Sequence, residues 1–296
     1  MTRSPSKSDS TLRLLWPQWQ GAGADNVADL MPDTPLEQAR RSYAVGTAVL
    51  NAVLPEHAGR TATVPVTLGD QGLAQRDGID AKDAVVAQLK AALDLIEDNP
   101  AEKIVTLGGE CSVSVAPFTT LARKYGEDLA VVWVDSHPDV GTPESEYHGY
   151  HAMALSTLLG HGDSDIQALL PATMPASRVA LAGLHSWTAD DIPNVAKWGV
   201  TSFSPDDLRT SSEALLAWIT QTGCSRVAIH LDVDVVDSDE EALGLGREPG
   251  GLTLQQVRRL VGDIDHAVEV VGITIAEYIP RQVLSLQRLV DGLPLL

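Results

Sequence analysis

The sequence predicts an α/β protein, a single domain in which helices cover both faces of a parallel sheet, and three observations predict it. Residues 129–134, LAVVWV, and 226–231, RVAIHL, are short and largely apolar. Such runs are too short for helices and lack polar alternation, as strands buried on both faces should. From residue 103 onward, strand patterns alternate with helical ones, the rhythm of a parallel α/β sheet. Both runs end abruptly in acids and imidazole: Asp135, His137 and Asp139 after the first, Asp232 and Asp234 after the second. Open parallel sheets collect their ligands just beyond the carboxyl ends of their strands.

Taken in order, residues 1–10 are Ser-rich and read as a flexible N-terminus, with one domain from 11 to 296. Residues 11–16 form a first strand, and the Gly/Ala/Asn segment after it reads as a loop. Residues 36–53 have helical spacing with Pro35 at the start, and 61–68 alternate as a strand should. AKDAVVAQLKAALDLIE, residues 81–97, is the clearest amphipathic helix, stopped by Asp98, Asn99 and Pro100. A strand at 103–107 turns through Gly108-Gly109-Glu110-Cys111 into a helix reaching Tyr125. The 129–134 strand leads to a polar loop from 141 to 150 and a helix from 151 to 159. Further strands lie at 178–182, 200–203, 226–232 and 270–275, with helices at 205–220, 253–268 and 280–289.

Composition narrows the function. A formal net charge of −19 argues against nucleic acid or an anionic membrane surface as a partner. No stretch approaches the roughly 18 apolar residues of a membrane span. The N-terminus has no apolar signal-peptide core. Two cysteines, Cys111 and Cys224, make no disulfide framework. These features together lead to the expectation of a cytoplasmic protein.

The strand ends carry the chemistry. One acid after a strand is an ordinary helix cap or solvated turn. Five ligand-type residues at i, i+2, i+4 and i, i+2 are not, because clustered carboxylates repel one another unless a cation neutralises them. Oxygen and imidazole donors in alternation suit a pair of hard or borderline divalent cations.

Collected in order, the segments GGECS (108–112), DSHPD (135–139), HAM (151–153), DVDVVD (232–237) and Glu277 resemble the ureohydrolase family of arginases, agmatinases and formimidoylglutamases. That family carries GGDHS, a DAHxD strand end, a downstream His before a small residue, and a DxDxxDP strand end. GGLT at 250–253 and AEYIP at 276–280 also look like its late segments, so the likeness runs from about residue 60 to 295.

The resemblance implies a three-layer αβα fold with a central, mostly parallel sheet of about eight strands. It also implies a dinuclear site for two divalent metal ions, manganese in the family. Asp135 and Asp232 would bridge them, His137 and Asp234 would complete one ion, and Asp139 with Cys111 the other. A metal-bridging hydroxide would attack the planar carbon of a guanidino or amidino substrate, releasing urea or a related product. Glu277 would orient the guanidinium, His151 would carry protons, and Asp139 is implied beside them as a catalytic residue. His148, in the same loop, stands ready as a substitute for His151. Two positions depart from the pattern: Cys111 where the family has His, and Glu110 where it has Asp. A thiolate is anionic and soft, so it moves the preference from manganese towards zinc or iron.

For substrate, Gly141 stands at the first of the positions with which arginases hold the amino-acid end of arginine. The loop 142–148 is one residue shorter, and 183–188, GLHSWT, lacks the family's acid. Glu144 and Glu146 favour a cationic or polar tail over a carboxylate, and Glu144, His148 and Glu277 are the expected substrate contacts. The alternatives are an N-hydroxyguanidine or formimino hydrolase, a one-zinc deacetylase, and a non-catalytic relative whose Cys111 has ended metal binding. The family often forms trimers or hexamers, so a homo-oligomer is compatible with the resemblance.

Overall fold

Among the described residues eight strands build one sheet: β1 (Thr11–Trp16), β2 (Arg60–Thr63), β3 (Lys103–Gly108), β4 (Leu129–Val134), β5 (Val179–Ala182), β6 (Thr201–Phe203), β7 (Arg226–Asp232) and β8 (Glu269–Ala276). The computed structural model describes residues 11–296, so the N-terminal segment read as flexible lies outside the described residues. The strand order is β2-β1-β3-β8-β7-β4-β5-β6, and every pairing is parallel. The predicted parallel α/β architecture is therefore present, with all four strands that carry the predicted chemistry at its centre.

Period-two alternation sorts each central strand between two cores. Leu129, Val131 and Trp133 face one side, where they pack with the helices Lys82–Asp98 and Val115–Tyr125. Ala130, Val132 and Val134 face the other, against the helices Glu213–Thr222, Leu254–Ala267 and Val283–Val290. Both faces are thus apolar, which explains why β4 shows no polar alternation. The result is three layers, helix–sheet–helix. Among the described residues no helix is long and apolar enough to cross a membrane.

Several elements differ from the sequence reading for physical reasons. The strand expected at 61–68 ends at Thr63, because Pro65 has no N–H to offer β1. The segment after β1 read as a loop contains a short helix, Ala24–Leu30, which buries only Val27 and so shows no apolar face in sequence. The helix expected at 205–220 is two: Pro205–Leu208, held by a Ser204–Asp207 capping box, and Glu213–Thr222. The helix expected from 151 begins instead as a tight 3-10 turn, Tyr150–Met153, before Ala154–Leu158. A helix at Ile192–Trp198 had no strong periodicity to reveal it, since Val195 is its one buried residue.

Candidate metal and substrate site

Parallel register aligns the carboxyl ends of the four central strands. Trp133 pairs with His230 and Val134 with Leu231, so the next residues on β4 and β7 lead Asp135 and Asp232 out side by side. Asp232 pairs in turn with Ala276, which places Glu277 one residue beyond the end of β8. β3 ends at Gly108 beside β8 and delivers Cys111 at the start of a 3-10 turn, Cys111–Ser114.

The i, i+2 spacing has a local cause. The Asp135 Oδ1 accepts the backbone N–H of His137 at 2.7 Å, and the Asp232 Oδ1 accepts that of Asp234 at 2.8 Å. Glu110 repeats the device, accepting the Ser112 N–H at 2.8 Å. Each acid bends the chain back on itself, so the residue two places on returns to the same mouth. Glu110 is wholly buried and is held by Gln18 and by the Ser112 hydroxyl. Burial pushes its carboxyl up. It is a support for the Cys111 turn.

Two site residues sit in left-handed backbone, Asp139 at φ 48° and Glu277 at φ 63°. Non-glycine residues hold such angles at a cost of order 1–3 kcal/mol each, which the surrounding structure must offset. Here it does so with backbone bonds: the Glu277 N–H donates to Gly109 O at 2.7 Å, and Asp139 O accepts from Leu155 and Ser156.

The predicted residues Cys111, His137, Asp139, His151, Asp232, Asp234 and Glu277 line one cavity of about 320 Å³. Asp135 stands just beneath it, with Oδ2 accepting the Trp133 indole N–H at 3.0 Å. Donor atoms converge there in three overlapping groups, each with all its atoms within 4.8 Å: Cys111/Asp135/His230/Asp232, Asp135/His137/Asp234 and Cys111/His151/Glu277. Asp139 joins none of these groups, although its Oδ2 is buried without a partner in the same cavity. Glu144 and His148 do not line the cavity; His148 Nδ1 sits instead 3.1 Å from Gly78 O. The loop turns Ser145 and Tyr147 inward in their place.

The residues fit a cation. Among the described residues no lysine or arginine lines the cavity, yet Asp135, Asp139, Asp232, Asp234 and Glu277 are all buried around it. Burial, and then the mutual repulsion of Asp135, Asp232 and Asp234, raises the Asp232 pKa well above the usual carboxylate range. Burial and Asp135 do the same to Asp139. Two buried polar atoms, Asp139 Oδ2 and His230 Nε2, are aimed at this region with no hydrogen-bond partner. A charge cluster of this kind is what a bound divalent cation resolves.

A second arrangement brings His151 together with two neighbours. His151 Nε2 lies 2.7 Å from the Tyr147 hydroxyl and Nδ1 lies 3.2 Å from Glu277 Oε1. Burial alone would lower the imidazole pKa, but Tyr147 and Glu277 outweigh it and hold it well above the ordinary value. Burial would raise Glu277, and the His151 charge instead keeps it low; its Oε1 also accepts the Cys111 N–H at 3.0 Å.

Sequence reasoning missed His230, Tyr147, Trp187, Asp190, Asp191 and Glu248. His230 had a signal, because it precedes Asp232 by two residues on a strand and so shares its face. The others come from separate loops whose convergence only the tertiary fold shows. A larger cavity, about 560 Å³, lies at the opposite ends of the strands around Arg13, Lys103 and Arg226. It contains none of the donor groups, so the smaller one is the candidate site.

Known proteins share this architecture. A model of the arginase family matches residues 42–285. An arginase of Entamoeba histolytica is 23% identical over 239 residues, covering 79% of this chain and 80% of that protein. An arginase of Eremothecium gossypii is 27% identical over 186 residues, or 60% of this chain and 46% of that one. Among solved structures, the E. histolytica arginase in complex with L-ornithine superposes with a TM-score of 0.74 at 18% identity, covering 96% of this chain and 99% of that one. The formimidoylglutamase of Bacillus subtilis superposes with a TM-score of 0.64 at 18% identity, covering 94% and 85%. At such identities the structural likeness speaks for the fold.

Proposed function

Because this chain belongs to the arginase family, we propose that it is a metal-dependent hydrolase of a C–N bond in a linear guanidino or amidino compound. The observation that carries this reading is the meeting, in one cavity with no lysine or arginine among its described lining residues, of buried metal donors with Glu277 and a His151 proton path. By the family pattern, Cys111, Asp135, Asp139 and Asp232 would hold one divalent cation, and Asp135, His137, Asp232 and Asp234 a second. Such a pair, when bound, supplies a water acidic enough to act as a nucleophile at neutral pH.

The chain's own groups do the rest. Glu277 offers a carboxylate to the planar cation of a guanidinium, a match of charge and shape. Its left-handed backbone and the Cys111 N–H fix where that carboxylate points. His151, 18% exposed at its side chain, stands between Glu277 and the Tyr147 hydroxyl and can pass a proton between cavity and solvent. At the mouth, Trp187, Asp190, Asp191 and Glu248 meet the far end of a substrate. With Asp190, Asp191 and Glu248 there and no lysine or arginine among the described lining residues, an amine tail is favoured over a carboxylate.

The test is urea or ammonia release from a panel of guanidino, N-hydroxyguanidino and formimino compounds by metal-loaded protein. Turnover of an amine-tailed or neutral guanidine above that of free L-arginine supports the reading. No turnover of any panel member by protein that holds its metals would overturn it.

A further inference from the structure

We infer that His230 is a metal ligand, and that with Cys111, Asp135 and Asp232 it forms a four-donor pocket selective for zinc at the floor of the cavity. This rests on the metal-dependent reading above and sharpens it, since it assigns a ligand from inside a strand and the preferred ion.

The geometry points there. His230 is fully buried near the carboxyl end of β7, where an unpartnered imidazole nitrogen is costly, yet Nε2 has no hydrogen-bond partner among the described residues. That nitrogen lies 3.7 Å from Asp135 Oδ2, and the Cys111 Sγ lies 3.0 Å from Asp232 Oδ2. All four side chains offer donors within 4.8 Å of one another. Donors at about 2.0–2.3 Å around a tetrahedral zinc are spaced roughly 3.3–3.8 Å apart, so these separations need little adjustment.

The ring is held for the task. Ser114 Oγ meets Nδ1 at 2.7 Å, which leaves Nε2 free to ligate when Nδ1 is the protonated nitrogen. Trp133 stacks on the imidazole at 3.7 Å between centroids and 11° between planes, and its indole N–H steadies Asp135. Both supports come from elements that already carry ligands: Ser114 from the Cys111 turn, Trp133 from the strand that ends at Asp135.

Donor chemistry then selects the ion. One thiolate, one imidazole and two carboxylates form a mixed soft and borderline set that suits zinc, whereas manganese favours oxygen donors. The neighbouring Asp135/His137/Asp234 group keeps an oxygen-rich character. The two positions therefore differ in preference, with zinc tightest at the deep one.

The test uses the full chain stripped of metal and titrated with cobalt(II), then with zinc against a chromogenic chelator. Wild type is expected to show a thiolate-to-cobalt charge-transfer band with the strong visible absorption of four-coordinate cobalt, and to bind one zinc far more tightly than a second ion. His230→Gln keeps a polar group for Ser114 and should lose the four-coordinate spectrum and roughly 100-fold or more in zinc affinity. Ser114→Ala leaves all four donors in place and should weaken zinc about 10–100-fold, the range for loss of a group that orients a ligand. Thermal unfolding of each metal-free variant separates ligation from folding; if His230→Gln does not fold, the Ser114→Ala spectrum and affinity decide. A His230→Gln protein, or in its absence a Ser114→Ala protein, with the wild-type spectrum and zinc affinity overturns the assignment while leaving the hydrolase reading intact. Absence of any bound cobalt or zinc in wild type overturns both.

Discussion

Replacing Gly109 by alanine tests how the end of β3 holds Cys111 in place. A Cβ at Gly109 would sit 1.6 Å from the backbone oxygen of Gln18, against an ordinary contact of at least 3.4 Å. The two backbones must therefore separate by nearly 2 Å, or about 1.8 Å by difference. That movement breaks the Glu110 N–H bond to Gln18 O and disturbs the Gln18 side chain, which donates to Glu110 and to Ser112 Oγ. Overpacking costs about 1–3 kcal/mol, and two buried hydrogen bonds add roughly 1–1.5 kcal/mol each. The sum, about 3–6 kcal/mol, corresponds to a fall in Tm of roughly 5–10 °C for a domain of this size. Circular dichroism on heating measures it, and metal content should fall with it because Cys111 follows Glu110 directly. A Tm within about 2 °C of wild type and full metal content would refute the reasoning that this glycine exists for close backbone approach.

Other perturbations separate the parts of the site. Asp232→Ala should lower metal content in elemental analysis and reduce activity at least 100-fold, since the proposed function assigns this acid to both cations; full activity would remove it from the ligand set. Glu277→Gln should cost roughly 100-fold in kcat/KM on cationic guanidines, and an equal loss on neutral substrates would argue against a guanidinium partner. His151→Asn should lower kcat by about 10²–10⁴ with little change in metal content; a KM effect alone would make it a binding residue. Asp190→Asn should raise KM for amine-tailed guanidines by roughly fivefold, in line with an exposed charge. Unchanged KM would place the tail elsewhere.

How far the sequence revealed this arrangement depends on the physics of each part. Strands buried on both faces announce themselves as unbroken apolar runs, so β4 and β7 were legible residue by residue. The acids at their ends were legible because an Asp that accepts the N–H two places on leaves a fixed spacing, as at Asp135 and Asp232. His230 was legible only through its place two residues before Asp232 on the same strand face, since one imidazole among apolar residues otherwise reads as core. Glu144 and His148 were drawn towards the substrate by their place in a polar loop, but the turn between Thr142 and Ser145 and the Tyr147–His151 contact orient that loop otherwise. Trp187, Asp190 and Glu248 share the cavity mouth although 58 residues separate Asp190 from Glu248 in number. No local pattern encodes such a meeting. Short helices such as Ala24–Leu30 bury too few residues to show a periodic face.

The most direct measurement of the central claim is metal content per chain by elemental analysis, first on protein purified without added metal and then after loading with manganese and with zinc. The account predicts two bound divalent ions per chain after loading, lost together in Asp232→Ala. A chain that keeps its fold, takes up no divalent ion from either solution and differs in nothing from Asp232→Ala would contradict it.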